Sequence, residues 1–267
     1  MSGGLAVIAG AGALPGLVLA ANHGAWMVRI EGVEAQNPGA PEIAARFEDL
    51  GGLFDALRAE GIETVCLAGA MARPALNPMA FDPKMQALAP RLMAAMKGGD
   101  DALLRLVVAV FEEEGFAVHG AHELVAGLTA EAGLLAGSPP DREARDDAHR
   151  AAAILAALGP VDVGQACVVA GGLCLGIETI QGTDALLAQV AATDPRLRRG
   201  ARGVLVKRPK PGQDLRVDMP AIGPDTIARA AEAGIAGVVI AAGGVLLVDR
   251  AATLAAAEAA GLFLLAQ

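Results

Sequence analysis

LAVIAGAGALPGLVLAANHGAWMVRIE, residues 5–31, is the stretch whose reading decides the fold. An apolar, β-branched run at 5–9 meets a glycine turn, a helical period over 15–23 follows, and a second β-like run occupies 26–30. Strand, tight turn, helix, strand is the repeating unit of a parallel sheet, because parallel neighbours need a crossover that is usually a helix. The alternation continues with a helical period at 53–60, a strand at 64–68, helices at 83–97 and 100–114, and a strand at 116–118. In the second of those long helices Leu103, Leu104, Val107, Val108 and Phe111 share one stripe.

GLLAGSPP, residues 133–140, combines breakers with a composition shift and reads as a linker, which divides the chain into 1–134 and 135–267. Beyond it come a helix at 142–158, two short strands about Gly171-Gly172, a helix at 183–192 and a strand at 203–207. Helices at 224–233 and 251–260 alternate with strands at 238–241, 245–248 and 262–265. The expectation is therefore an α/β protein of two domains. The first is a Rossmann-like parallel sheet with crossover helices that binds a nucleotide or diphosphate, and the second is a smaller mixed α/β domain.

With 267 residues, 54% of them hydrophobic, the chain has ample material for a core. Gly 34 and Pro 15 together fall well below the roughly 25–30% of low-complexity chains. The balance of 21 Lys and Arg against 30 Asp and Glu, a net charge of −9, repels a phosphate backbone and argues against a nucleic-acid partner. Cys66, Cys167 and Cys174 lack metal-ligand spacing and lie in apolar runs, so they read as buried thiols of a reducing compartment. A mean hydropathy of +0.47, with no Asp, Glu, Lys or Arg from Met1 through Met27, raises the question of a membrane segment. Gly10, Gly12, Pro15 and Gly16 interrupt that run, it lacks a basic leader, and Gly243-Gly244 splits the other uncharged stretch, so neither reads as a transmembrane or targeting segment.

Several segments can carry chemistry. AGAGALPG, from Ala9 to Gly16, follows a strand and opens a helix, where backbone N–H groups of Gly10, Ala11, Gly12 and Leu14 can hold a phosphate. Glu31, at the end of the second strand, sits where a ribose-binding acid stands in nicotinamide enzymes, but Pro15 occupies the third glycine of that fingerprint. Asp100 and Asp101 in GGDDALL either cap a helix or hold Mg²⁺ near a phosphate. His122 in GAHE lies just past a strand end, as a ligand contact or a cap. In ETIQGTDALL, Thr183 reads as an N-cap beside Asp184, and Glu178 at a strand end points toward the loop face where ligands gather.

KRPKPGQDLRVDMPAIG, residues 207–223, is the densest polar stretch. If 213–219 is extended, alternation places Asp214, Arg216 and Asp218 on one face. Two carboxylates there can bind Mg²⁺ or orient a water while Arg216, Lys207 and Lys210 neutralise phosphate oxygens; a solvated edge strand explains the same pattern.

Together these motifs resemble one family. AGAGALP, GDDALLR at 99–105, GAHE at 120–123, Gly164-Gln165, QGTD at 181–184 and KPxQDxRxDxPxIGxxTI at 210–227 are similar, in order, to the LpxI-type UDP-2,3-diacylglucosamine pyrophosphatases. The resemblance implies a cytoplasmic, two-domain, Mg²⁺-dependent enzyme of Gram-negative lipid A synthesis. Such an enzyme hydrolyses UDP-2,3-diacylglucosamine to UMP and 2,3-diacylglucosamine 1-phosphate. It implies an essential role for Asp218, with Asp214 as a second metal or catalytic carboxylate beside Arg216. Lys207, Lys210, Gln213, Gln165, Glu178, Thr183, Asp184, His122, Asp100 and Asp101 then serve as substrate contacts with the glycine turn, and the second domain carries catalysis and lipid binding. Lys97 departs from the family pattern, separated from the acids by Gly98 and Gly99. Peripheral contact with the inner membrane and a homodimer are left open. So are two rivals: an NAD-dependent oxidoreductase resting on Gly10, Gly12 and Glu31, and a non-catalytic nucleotide-sugar or lipid-binding module.

Overall fold

The computed structural model describes residues 3–72, 74–198 and 200–267. The chain divides into two compact units, residues 1–126 with 214–218, and residues 127–213 with 219–267. The second stretch of the first unit is a short excursion of the chain away from its sequence neighbours.

The first unit runs β1 (Gly4–Ala9), α1 (Leu14–Ala21), β2 (Trp26–Ile30), β3 (Glu42–Ala45), α2 (Leu50–Ala59), β4 (Ile62–Ala68), α3 (Pro83–Lys97), α4 (Asp100–Glu113), β5 (Ala117–Val118) and α5 (Ala121–Leu124). Its sheet has the order β3-β2-β1-β4-β5. Every pairing in it is parallel. This is the open, Rossmann-like sheet expected from the opening strand–turn–helix–strand. β1 is buried along nearly its whole length, as a central strand covered on both faces must be. Phe54 of α2, Phe111 of α4 and Phe116 form one aromatic cluster, with Phe54 and Phe111 edge-to-face at 5.3 Å between centroids.

The second unit comprises β6 (Gly133–Ala136), α6 (Arg142–Leu158), β7 (Ala166–Ala170), β8 (Leu173–Ile177), α7 (Gly182–Ala191), α8 (Pro195–Arg198) and β9 (Val204–Lys207), then β10 (Ala221–Ile222), α9 (Pro224–Glu232), β11 (Gly237–Ile240), β12 (Leu246–Leu247), α10 (Arg250–Ala259) and β13 (Phe263–Ala266). A six-stranded sheet of order β6-β13-β11-β9-β7-β8 carries it, with β10 and β12 as a separate pair. Parallel and antiparallel neighbours mix, as expected of a mixed α/β unit. It is not the smaller of the two, since its main sheet has six strands against five.

GLLAGSPP is not a linker. Its first four residues are β6, paired antiparallel with β13 near the end of the chain. The hairpin about Gly171-Gly172 is present, both glycines having positive φ (54° and 75°), which a tight hairpin turn requires. Asp147 of α6, 2% exposed, locks that turn by accepting from both glycine N–H groups at 2.9 and 2.7 Å. Cys66 and Cys167 are buried as expected, whereas Cys174 is exposed on the edge strand β8, its Sγ 3.8 Å from that of Cys167. Burial pushes the Cys66 thiol up to about 12 and raises that of Cys167 further above its ordinary value. Among the described residues no helix is long and apolar enough to cross a membrane.

Candidate active site

In the first unit the polar segment 214–218 is not an extended strand. The carbonyl of Asp214 accepts from the N–H groups of Val217 at 3.3 Å and Asp218 at 3.1 Å, closing a compact turn. The Asp214 carboxylate also accepts from the Arg216 backbone N–H at 3.1 Å, the local side-chain-to-backbone bond by which aspartate competes with strand geometry. Alternation therefore does not apply. Val217 instead packs against the core of the first unit.

The turn brings Asp214 and Arg216 together. Arg216 Nε and Nη2 donate to the two carboxylate oxygens at 2.9 and 2.7 Å, and Nη1 donates to Glu112 of α4 at 2.7 Å. The guanidinium beside Asp214 holds its carboxyl below the usual carboxylate range, and the two acids raise Arg216 above its own. Arg216 takes both acceptor positions on Asp214 Oδ1, through its backbone N–H and Nε, and one on Oδ2, which keeps a second lone pair. Asp218, half-buried at the end of the turn, offers the kind of hard oxygen donor that Mg²⁺ uses. Among the described residues no three His, Cys, Asp or Glu side chains gather to hold a metal by themselves. A single carboxylate is still compatible with Mg²⁺, which draws its remaining ligands from substrate phosphates and water.

GAHE lies against this turn. A Cβ on Gly120 would stand 3.1 Å from the Arg216 Cα and 2.6 Å from His122 Nδ1, so a side chain there would push the His122 ring aside and crowd the turn. His122 Nδ1 is buried with no hydrogen-bond partner among the described residues, an acceptor or donor held in reserve. His119 meets Glu123 at 2.5 Å. Asp101 pairs with Arg105 one turn along α4 at 2.7 Å, and the cap of that helix is Gly99 rather than an aspartate. The Asp100 side chain lies outside the described residues.

The glycine turn is partly spent on the fold. Gly10 N–H donates to Ala68 at 2.7 Å, and Ala11 exchanges both backbone bonds with Ala70 at 2.7 and 2.9 Å. A Cβ on Gly10 would sit 2.6 Å from the Ala70 carbonyl. The first two amides are therefore closed to a phosphate. Gly12, at φ +95° with open space around it, and Leu14 at the start of α1 remain. Closing the crevice beside β1 in this way also works against a dinucleotide lying across the turn.

The second unit gathers Glu178, Thr183, Lys207 and Gln165. Thr183 is not an N-cap; Gln181 holds that position. Its hydroxyl instead donates to Glu178 at 2.7 Å and accepts from Lys207 Nζ at 2.6 Å. Glu178 does not face an open loop surface: it is 9% exposed and its other oxygen accepts from the Gln165 N–H at 3.1 Å. Lys207, 7% exposed, ends β9 with its ammonium 4.0 Å from Glu178. Lys210 pairs with Asp162, and its backbone N–H donates to the Gln213 side chain at 2.9 Å. Asp184 is drawn aside by Arg229 at 3.2 Å. Sequence reasoning missed Glu112 and Asp162, the acids that anchor Arg216 and Lys210, because neither stands in a motif.

Residues 4–128 match the LpxI N-terminal domain and residues 131–265 the LpxI C-terminal domain. The UDP-2,3-diacylglucosamine pyrophosphatase LpxI of Caulobacter vibrioides is 42% identical over 271 residues, covering 98% of this chain and 96% of that protein. That relative speaks for the pyrophosphatase reading and lends nothing to a nicotinamide enzyme. A chain matched in both domains and along nearly its whole length belongs to the LpxI family.

Proposed function

We propose that the protein hydrolyses the pyrophosphate bond of UDP-2,3-diacylglucosamine to UMP and 2,3-diacylglucosamine 1-phosphate. The observation that carries this reading is the 42% identity, over nearly all of both chains, to a pyrophosphatase named for that substrate. In the reaction a water oxygen forms a new bond to phosphorus, the bridging P–O bond breaks, and its electron pair leaves with the departing phosphate ester. Asp218 is the residue assigned to the water, holding it and accepting its proton. Arg216 offers positive charge to the diphosphate, and Asp214 with Glu112 positions that guanidinium. In the second unit Lys207 is the cation whose placement Thr183 and Glu178 fix.

Mg²⁺ belongs to the proposal, with Asp218 and the substrate phosphates as its ligands. It would supply neutralisation of charge developing on the phosphate oxygens. The reaction is assigned to the cytoplasmic side of the inner membrane, with peripheral contact, since a diacyl substrate partitions into a bilayer.

Incubation of the purified protein with UDP-2,3-diacylglucosamine should release UMP over repeated turnovers with Mg²⁺ and stop with chelator. Asp218→Ala should abolish turnover while substrate still binds. Full activity in that variant rejects the assignment of Asp218, and stoichiometric binding without UMP release leaves a non-catalytic binding module instead.

A further inference from the structure

We propose that Cys174, on the outer strand of the six-stranded sheet, is an oxidation site that closes onto Cys167 of the neighbouring strand as a reversible disulfide when the protein meets hydrogen peroxide. The bond spares the exposed sulfur from irreversible oxidation. It does not depend on the reaction that the enzyme catalyses.

The sheet itself brings the two thiols together. Cys167 lies in β7 and Cys174 in β8, antiparallel neighbours joined by the hairpin at Gly171-Gly172. Cys174 stands opposite Val169, and residues two apart on a strand share a face, so Cys167 and Cys174 are diagonal neighbours on one face of the sheet. The two sulfurs are 3.8 Å apart and need to close by less than about 2 Å to reach bonding distance. β7 is held on its other side by β9, whereas β8 ends the sheet, so the edge strand is the one that gives. Asp147 pins the hairpin between them and keeps the pair from drifting apart.

Their surroundings divide the chemistry. Cys174 is exposed, and a peroxide reaches it from solvent. Cys167 is buried in the cluster that includes Ala144, Ala148 and Ala151 of α6. Burial raises its thiol above the ordinary value, which keeps it protonated and slow to react with peroxide by itself. Cys66, the third thiol, is buried in β4 of the first unit and serves as an internal control.

In the first step the Cys174 sulfur attacks one oxygen of the peroxide. The O–O bond breaks with its electron pair on the departing oxygen, which leaves as water with the thiol proton; Cys174 is oxidised to a sulfenic acid and the peroxide is reduced. In the second step the Cys167 sulfur attacks the Cys174 sulfur, the S–O bond breaks, and hydroxide leaves as water with the Cys167 proton. Two thiols and one hydrogen peroxide give one disulfide and two waters. Because the second thiol is already in contact, closure precedes a second oxidation of Cys174. A dithiol reductant returns both thiols by exchange.

The test is peroxide treatment of the reduced, full-length protein, followed by denaturation, alkylation of the remaining thiols and mass mapping. No Lys or Arg stands between Arg150 and Arg196, so trypsin leaves Cys167 and Cys174 on one peptide, and ring closure makes that peptide unalkylated and lighter by two hydrogens. The wild type is expected to lose two of its three alkylatable thiols, to keep Cys66, and to regain both with dithiothreitol. Cys174→Ser is expected to keep Cys167 alkylatable at the same dose. In Cys167→Ala the partner thiol is gone, so Cys174 goes on to a sulfinic acid that dithiothreitol does not reverse. The proposal is overturned if wild-type Cys174 ends as a sulfinic acid with Cys167 still alkylatable, or if it links two chains instead of closing within one. It is equally overturned if Cys174→Ser loses its Cys167 thiol as fast as the wild type, or if all the thiols survive a dose that oxidises free cysteine. Should Cys167→Ala fail to fold, the wild type and Cys174→Ser decide the matter alone.

Discussion

Two clusters that each pair acid with base, one in each unit, are held in opposite ways. Asp214, Arg216 and Glu112 meet in a surface turn of the first unit, with the arginine side chain 33% exposed. Glu178, Thr183 and Lys207 meet inside the second, where the lysine side chain is 9% exposed and a neutral hydroxyl stands between the charges. Water shares the work of solvating the first cluster. The second is shielded from water and depends on hydrogen bonds, so each of its members is bound to the stability of the fold. A solvated pair can change partner when a diphosphate arrives at little cost, whereas a buried cation is fixed in place beforehand. The polar stretch 207–223 runs through both kinds of site, starting at Lys207 in one and supplying Asp214 and Arg216 to the other.

The sharpest way to break this contrast is to remove the buried acid. Glu178→Ala breaks the buried pair by removing one partner, and urea unfolding should show a loss of about 3–5 kcal/mol. A loss under about 1 kcal/mol would mean that the cluster is as solvated as its counterpart. Thr183→Val comes next. It keeps the shape and deletes the hydroxyl that bonds both partners, so a loss of about 1–3 kcal/mol is expected, measured the same way. Asp147→Ala, in the same unit but away from the cluster, gives the scale for comparison. Two glycine N–H groups lose their acceptor, with a cost also of about 1–3 kcal/mol that leaves substrate binding untouched.

The same contrast explains what local sequence could and could not say. Strands β1, β2 and β4 were readable because a buried parallel strand is a continuous apolar run, and α3 because its period spans fifteen residues. β3 escaped: it has four residues, alternates with a glutamate, and follows a stretch rich in proline and glycine. β6 escaped for a different reason, since its partner is the last strand of the chain and the breakers GSPP follow it directly. At the site, residue identities were legible and their geometry was not. Alternation of Asp214, Arg216 and Asp218 predicts a strand, but Asp214 bonds its own neighbours and Val217 is claimed by a core formed some hundred residues earlier in the chain. Thr183 looks like a cap for the same reason, because its two partners, Glu178 and Lys207, are brought to it by tertiary structure.

The smallest expected effect lies in the solvated cluster and is a matter of pH. Arg216 holds the Asp214 carboxyl below its ordinary value, so the folded protein binds this proton less readily than the unfolded chain does. Such a group contributes stability that is fully present above the unfolded pKa, about 3.9 for an aspartate, and lost as pH falls through the depressed folded value. Because the pair is partly solvated, its worth at neutral pH is at most about 1 kcal/mol. Asp214→Asn keeps the size and removes the titration. The difference in urea midpoint between wild type and variant should be constant from pH 7 down to about 5 and should shrink as pH drops below about 4. A difference that grows in acid would mean that Asp214 is destabilising where it stands, and that Arg216 is held by Glu112 alone.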